Sequence, residues 1–152
     1  MTLILPSYQF YKQYHNNPMN RAIHMVCIPG ISWSICLFLT SINGFFLSSL
    51  YAMIYYYYFN KYKLTTSHSY DYLLICVFLY SIWLTAVLYR SFGVEPYFVA
   101  GSVFIGSWIM QFIGHYYFEN NRPAMLDSLY QSFLMAPLFV YIEFKELLNY
   151  DL

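Results

Sequence analysis

Charge is what this sequence has least of. Seven Lys and Arg and seven Asp and Glu make up 9% of its 152 residues, against roughly 25% in an ordinary soluble domain. The two signs cancel, which excludes a basic nucleic-acid binder of the kind that displaces counterions from phosphates. Cysteine is limited to Cys27, Cys36 and Cys76, each inside an apolar run and none in a Cys-x-x-Cys pair. That argues against a disulfide framework or a cysteine metal site and for free thiols facing core or lipid. There is no Gly-x-Gly-x-x-Gly, no phosphate loop and no internal repeat. Met1–Leu5 is too short and too poor in basic flank for a secretory signal. What is abundant is apolar surface: 60% of residues are hydrophobic and 24% aromatic, with 19 Tyr and 14 Phe. Disorder is excluded by that burial drive. A soluble domain of this size could hardly cover so much apolar surface with 14 charges, so the composition points to a membrane.

The positions of the few charges define the segments. No charge falls between Arg21 and Lys61, a run of 39 residues. As helix that run would be ~58 Å long, enough for two crossings of a ~30 Å hydrocarbon core, with the polar cluster Thr40–Gly44 as the turn. Further uncharged runs cover Tyr72–Tyr89 and Pro96–Phe118. The expected fold is therefore a single all-α domain over residues 1–152, an integral membrane helical bundle. Its four transmembrane helices fall at about 23–39, 45–59, 72–89 and 97–114, after a short N-terminal helix. The run 128–142 is shorter and holds Pro137, and is expected as an interfacial or partly embedded helix. Tyr55–Tyr58, Tyr89, Tyr97, Tyr116 and Tyr117 fall where headgroup belts would lie.

Orientation gathers the histidines. Lys12, Arg21, Lys61, Lys63 and Arg122 share one side under the positive-inside rule, with Arg90 opposite. The N-terminus, the 60–71 loop and the segment after residue 115 are then cytoplasmic. His15, His24, His68 and His115 all fall on that face, which is the pattern a metal site at a membrane surface needs. Asn16-Asn17-Pro18 supplies an Asx cap and a helix start, so two helices meeting at a corner can aim His15 and His24 inward. Gln111, His115 and Glu119 form an i, i+4, i+8 stripe. Asn20, Gln111 and Glu119 are placed to orient ligating imidazoles, and Glu119 could itself ligate. His68, in Thr-Thr-Ser-His-Ser, has no patterned neighbours and is expected as a loop residue. By residue type alone the three helix-end histidines suit zinc as well as iron.

Two segments then carry a resemblance. Tyr11–Gly30, with His15, Asn20 and His24, and Trp108–Ala124, with Gln111, His115, Glu119 and Arg122-Pro123-Ala124, together resemble the two signature blocks of the 2-hydroxy fatty acid dioxygenase family of small membrane proteins. The middle of the chain is similar only in being hydrophobic, and Asn120 and Asn121 stand where typical members carry basic residues. The resemblance implies an oxidoreductase that uses Fe(II) and O2 to shorten a long-chain 2-hydroxy fatty acid by one carbon, in fatty acid alpha-oxidation and sphingoid-base catabolism. It implies His15, His24 and His115 as iron ligands, with Glu119 and Asn20 as a further ligand or as support. Arg122 is then a candidate for holding the substrate carboxylate. The expected setting is the endoplasmic reticulum in a eukaryote or the inner membrane in a bacterium, with the active face cytoplasmic and self-association left open. Two other classes stay open: a non-catalytic membrane scaffold or assembly protein, and a zinc-dependent membrane hydrolase.

Overall fold

The computed structural model describes residues 9–43, 49–50, 53–54, 57, 70–93 and 95–148. Among these every regular element is helical. We label the long helices α1 (Pro18–Asn43), α2 (Tyr70–Ser91), α3 (Pro96–Gly114) and α4 (Leu129–Leu147). A π turn, His115–Glu119, extends α3, and a 3-10 turn, Ala124–Leu126, precedes α4. Residues 9–12 form a helical piece before α1.

The helix starts follow from local chemistry. The Asn17 side chain accepts a hydrogen bond from the Met19 N–H at 2.9 Å, and Pro18 fills the first helical position, where no N–H is needed. Glu95 and Pro96 repeat the device at α3, with the Glu95 carboxylate accepting from the Tyr97 N–H at 3.2 Å. Gly93, at φ 72°, makes the tight turn between α2 and α3 in the left-handed region that glycine enters without strain.

Two glycines bring α1 and α3 together as antiparallel neighbours. A Cβ on Gly30 would lie 2.9 Å from Ser107 Oγ, and one on Gly114 would lie 2.5 Å from Asn20 Oδ1. Small residues at a crossing let two backbones approach closely. The lower core gathers Tyr11, Ile28 and Leu79 around Met135, Leu138 and Phe139 of α4. A second cluster joins Cys36 and Leu37 of α1 to Trp83, Ala86 and Ala100. Cys27 and Cys36 are buried free thiols, as expected.

The spans need correction. Among the described residues two helical stretches, Pro18–Ile42 and Pro96–Glu119, are long and apolar enough to cross a membrane, rather than four. Their 25 and 24 residues correspond to roughly 36–38 Å of helix. The expected span at 72–89 lies in α2, whose apolar stretch with described side chains is the shorter Val77–Ser91. The expected span at 45–59 falls mostly outside the described residues. α3 is turned inside out relative to a soluble helix. Its buried residues are Pro96, Ala100, Gln111 and Gly114, while Phe98, Ile105, Ile109 and Phe112 are exposed. α4 runs five residues past the expected 142 and is a core element, with Met135, Leu138 and Phe139 fully buried.

α4 is also tied by charge. Arg21 of α1 pairs with Glu143 and with Glu146, the latter at 2.7 Å, and Lys12 reaches Glu146 at 3.3 Å. Burial pushes the Glu143 carboxyl above its ordinary value, against the pull of Arg21.

Candidate metal centre

His15, His24 and His115 come together. Their ring centroids are 4.4 Å apart for His15–His24, 4.8 Å for His15–His115 and 4.9 Å for His24–His115, all edge to face. One nitrogen from each lies within 4.8 Å of the others, and the residues are 1, 2 and 2% exposed. Each ring comes from a different place in the chain. His15 sits where the N-terminal helical piece ends, held by its N–H to the Lys12 carbonyl at 3.0 Å. His24 lies in the second turn of α1, and His115 opens the π turn.

The backbone fixes two of the tautomers. His15 Nδ1 lies 2.8 Å from the Tyr11 carbonyl oxygen and His24 Nδ1 lies 2.9 Å from that of Asn20. A carbonyl only accepts, so both Nδ1 atoms carry the proton and both Nε2 atoms keep a bare lone pair. His15 Nε2 is buried with no partner, and so is His115 Nδ1. Burial and the neighbouring imidazoles push the His15 pKa down to about 2, so the ring stays neutral. Two backbone carbonyls holding Nδ1–H and leaving Nε2 free is the support metal-ligating histidines use. The residues fit a divalent cation.

The surroundings stiffen the group. Tyr11 stacks on His15 with centroids 4.3 Å apart and planes 17° from parallel, and Phe139 of α4 packs 4.8 Å from the same ring. A cavity of about 60 Å³ opens beside the histidines. At ~10–15 Å³ per water of this measure it holds a handful of small polar atoms. Its wall also includes Gln111, Ser32 and Ser132, facing Ile28, Ile31, Trp108 and Phe133.

The other sequence candidates separate. Glu119 is not in the histidine group but beside it: its Oε1 accepts from the Asn17 N–H at 2.8 Å and from Asn20 Nδ2 at 3.1 Å. The π turn explains the departure from the expected stripe. It closes an i→i+5 bond, from the Asn120 N–H to the His115 carbonyl, and so takes more residues per turn than an α-helix. Asn120 ends it at φ 50°, a left-handed position Asn tolerates. Asn20 is fully buried and works twice, through its carbonyl on His24 and its side chain on Glu119. Gln111 is buried, lines the cavity, and has an unpartnered Nε2. Arg122 is outside the cavity. Its side chain is 65% exposed and pairs at 2.6 Å with Asp127, which also accepts from the Tyr14 hydroxyl. Of Arg122-Pro123-Ala124, the proline and alanine form cavity wall. His68 lies outside the described residues. Sequence reasoning missed Tyr11, Phe139 and Ser132. Tyr11 was findable from its i, i+4 spacing to His15, whereas the α4 residues carried no local signal.

A family model described as 2-hydroxy-palmitic acid dioxygenase Mpo1-like matches residues 2–148. The chain is 34% identical over 149 residues to 2-hydroxy-palmitic acid dioxygenase MPO1 of Saccharomyces cerevisiae, covering 89% of this chain and 75% of the relative. No solved structure matches it.

Proposed function

Because this chain belongs to the Mpo1-like family, we propose that it is an iron(II)-dependent dioxygenase that removes one carbon from long-chain 2-hydroxy fatty acids at a membrane. The observation that carries the reading is the set of three buried imidazoles, two with Nδ1–H committed to backbone carbonyls. His15, His24 and His115 would hold the metal. Three imidazoles suit zinc as well as iron, but zinc does not change oxidation state, and a 2-hydroxy acid is not itself electron-rich enough to reduce O2, which favours iron. Bound there, Fe(II) supplies the one-electron chemistry that lets O2 react with a closed-shell acid.

The protein's own residues bind and exclude. The conversion of R–CHOH–COOH with one O2 to R–COOH, CO2 and H2O balances in atoms and requires no 2-oxoglutarate. The polar head would enter the cavity beside the histidines, with the acyl chain running toward lipid. In lipid each buried CH2 contributes ~0.8 kcal/mol. The exposed apolar face of α3 supports that setting. Isoleucines 28 and 31, with Trp108 and Phe133, keep bulk water from the head group. Glu119 and Asn20 act as supports, locking the start of α1 to the π turn so that His24 and His115 keep their spacing. The distribution of Lys and Arg supports a cytoplasmic position for this end.

Oxygen uptake by anaerobically purified, Fe(II)-loaded protein tests the reading, with 2-hydroxypalmitate compared with palmitate. The expected result is one O2 consumed per hydroxy acid, pentadecanoate as product, no uptake with palmitate, and loss of activity in His24→Ala and His115→Ala. A folded, iron-loaded sample that consumes no O2 refutes it and leaves the scaffold and zinc-hydrolase classes to be separated by zinc content.

A further inference from the structure

The head of a 2-hydroxy acid brings three oxygens and a negative charge into a small cavity, where it leaves water. Burying such a group without hydrogen-bond donors is costly. His15 and His24 cannot donate, because the one proton on each neutral ring is already given to a backbone carbonyl. Arg122, which adjoins the cavity-wall residue Pro123 in sequence, pairs with Asp127, and Lys12, which adjoins Tyr11, pairs with Glu146. Apart from the imidazoles assigned to the metal, two buried cavity-lining donors have no partner. Gln111 on α3 and Ser132 on α4 each line the cavity, each is 7% exposed, and Gln111 Nε2 and Ser132 Oγ are buried with no partner. Unpaired buried donors are rare in folded proteins and call for an occupant. They line the same cavity from two different helices, α3 and α4.

We propose that Gln111 and Ser132 are the substrate-recognition pair, the amide N–H and the hydroxyl donating to the carboxylate of the 2-hydroxy acid. The assignment rests on the dioxygenase reading above and deepens it. It takes the carboxylate role from Arg122 and gives it to neutral donors. Neutral donors suit an anion that must enter from a lipid-facing side and release its product again.

The test uses the Fe(II)-loaded protein in detergent under nitrogen, where no turnover occurs. Metal content is measured first, then equilibrium binding of 2-hydroxypalmitate and of 1,2-hexadecanediol, which keeps the hydroxyl and lacks the carboxylate. Gln111→Met and Ser132→Ala are expected to load metal as wild type does. They should weaken binding of the acid roughly tenfold or more, the scale of a lost hydrogen bond to a charged group, and leave diol binding within twofold. In air the same variants should raise KM with kcat little changed. Gln111→Glu guards against a packing artefact, since it keeps the shape and sets a carboxyl against the carboxylate, and should weaken the acid further still. Variants that bind the acid within twofold of wild type overturn the pair while the dioxygenase reading stands. Loss of metal in Gln111→Met and Gln111→Glu also overturns it, by placing Gln111 with the metal. A wild-type protein that oxidises palmitate and 2-hydroxypalmitate alike overturns both.

Discussion

Replacing Gly114 by alanine probes the contact on which the candidate centre is built. The added Cβ would lie 2.5 Å from Asn20 Oδ1 and 3.3 Å from Ile23 Cδ1, the first too close for any side chain to tolerate unmoved. Asn20 has little freedom to yield. It is fully buried, its Nδ2 is held 3.1 Å from Glu119, and its carbonyl accepts from the His24 ring. Overpacking of this kind costs ~1–3 kcal/mol, and the better helix propensity of alanine offsets about 1 kcal/mol. A tethered neighbour puts the cost in the upper half of that range, for a net loss of ~1–2 kcal/mol. At roughly 2–4 °C per kcal/mol for a chain of this length, Tm falls by ~2–8 °C. Gly106, eight residues earlier on the same helix, is the control, since its Cβ would meet nothing within 4 Å. Gly106→Ala should gain about 1 kcal/mol. Thermal unfolding in detergent, followed by far-ultraviolet circular dichroism, reads both. Bound metal per chain should fall in Gly114→Ala alone, because moving Asn20 moves the carbonyl that orients His24. A Gly114→Ala protein that melts at or above the wild-type temperature with full metal would refute the close-approach argument.

Other consequences can be checked in the same preparations. His15→Ala should bring bound metal to background, measured by elemental analysis, while the helix content seen by circular dichroism persists. Glu119→Ala strands the Asn17 N–H and leaves the Asn20 amide only its bond to the Tyr14 carbonyl, and should cost ~1–3 kcal/mol in denaturant melts, with Glu119→Gln recovering part of it through the retained carbonyl acceptor. Arg21→Met leaves Glu143 buried without its cation and should cost ~3–5 kcal/mol, whereas the double variant Arg21→Met/Glu143→Met should cost much less. The pH dependence has a definite sign. A carboxyl whose folded-state pKa is raised binds protons better folded than unfolded, so stability is present below the unfolded value and falls as pH rises through the folded one. The Glu143 shift is in that direction, and Arg21→Met should steepen the fall, visible as a lower Tm at neutral than at mildly acidic pH.

The histidine cluster was legible because few polar residues exist to be placed and orientation leaves them one face. Asn17-Pro18 gave the break between His15 and α1, and the structure puts a capped helix start there. Local pattern failed where the backbone departs from the α period: Glu119 continues the Gln111–His115 stripe only if the helix stays regular, and the π turn takes it elsewhere. The acceptors that orient His15 and His24 are main-chain carbonyls of Tyr11 and Asn20, which no choice of side chain announces. Arg122 looked like an anion holder because its partner, Asp127, is an ordinary acidic residue whose pairing depends on the turn after the π segment. Burial of α4 could not be seen either. Glu143 and Lys145 look like a solvated end in sequence, yet both are buried, and Glu143 is held by an arginine 122 residues away.

That long reach has a consequence for how the protein is made. His24 leaves the ribosome 91 residues before His115, an interval of roughly 5–18 s at 5–20 residues per second. Through that interval the first two imidazoles exist without the third, and without Phe139 and Glu143 to seat the segment that bears them. On the proposed reading metallation would close synthesis, and a chain truncated within α4 would lose the ties that hold the first histidine in place even though it encodes all three imidazoles.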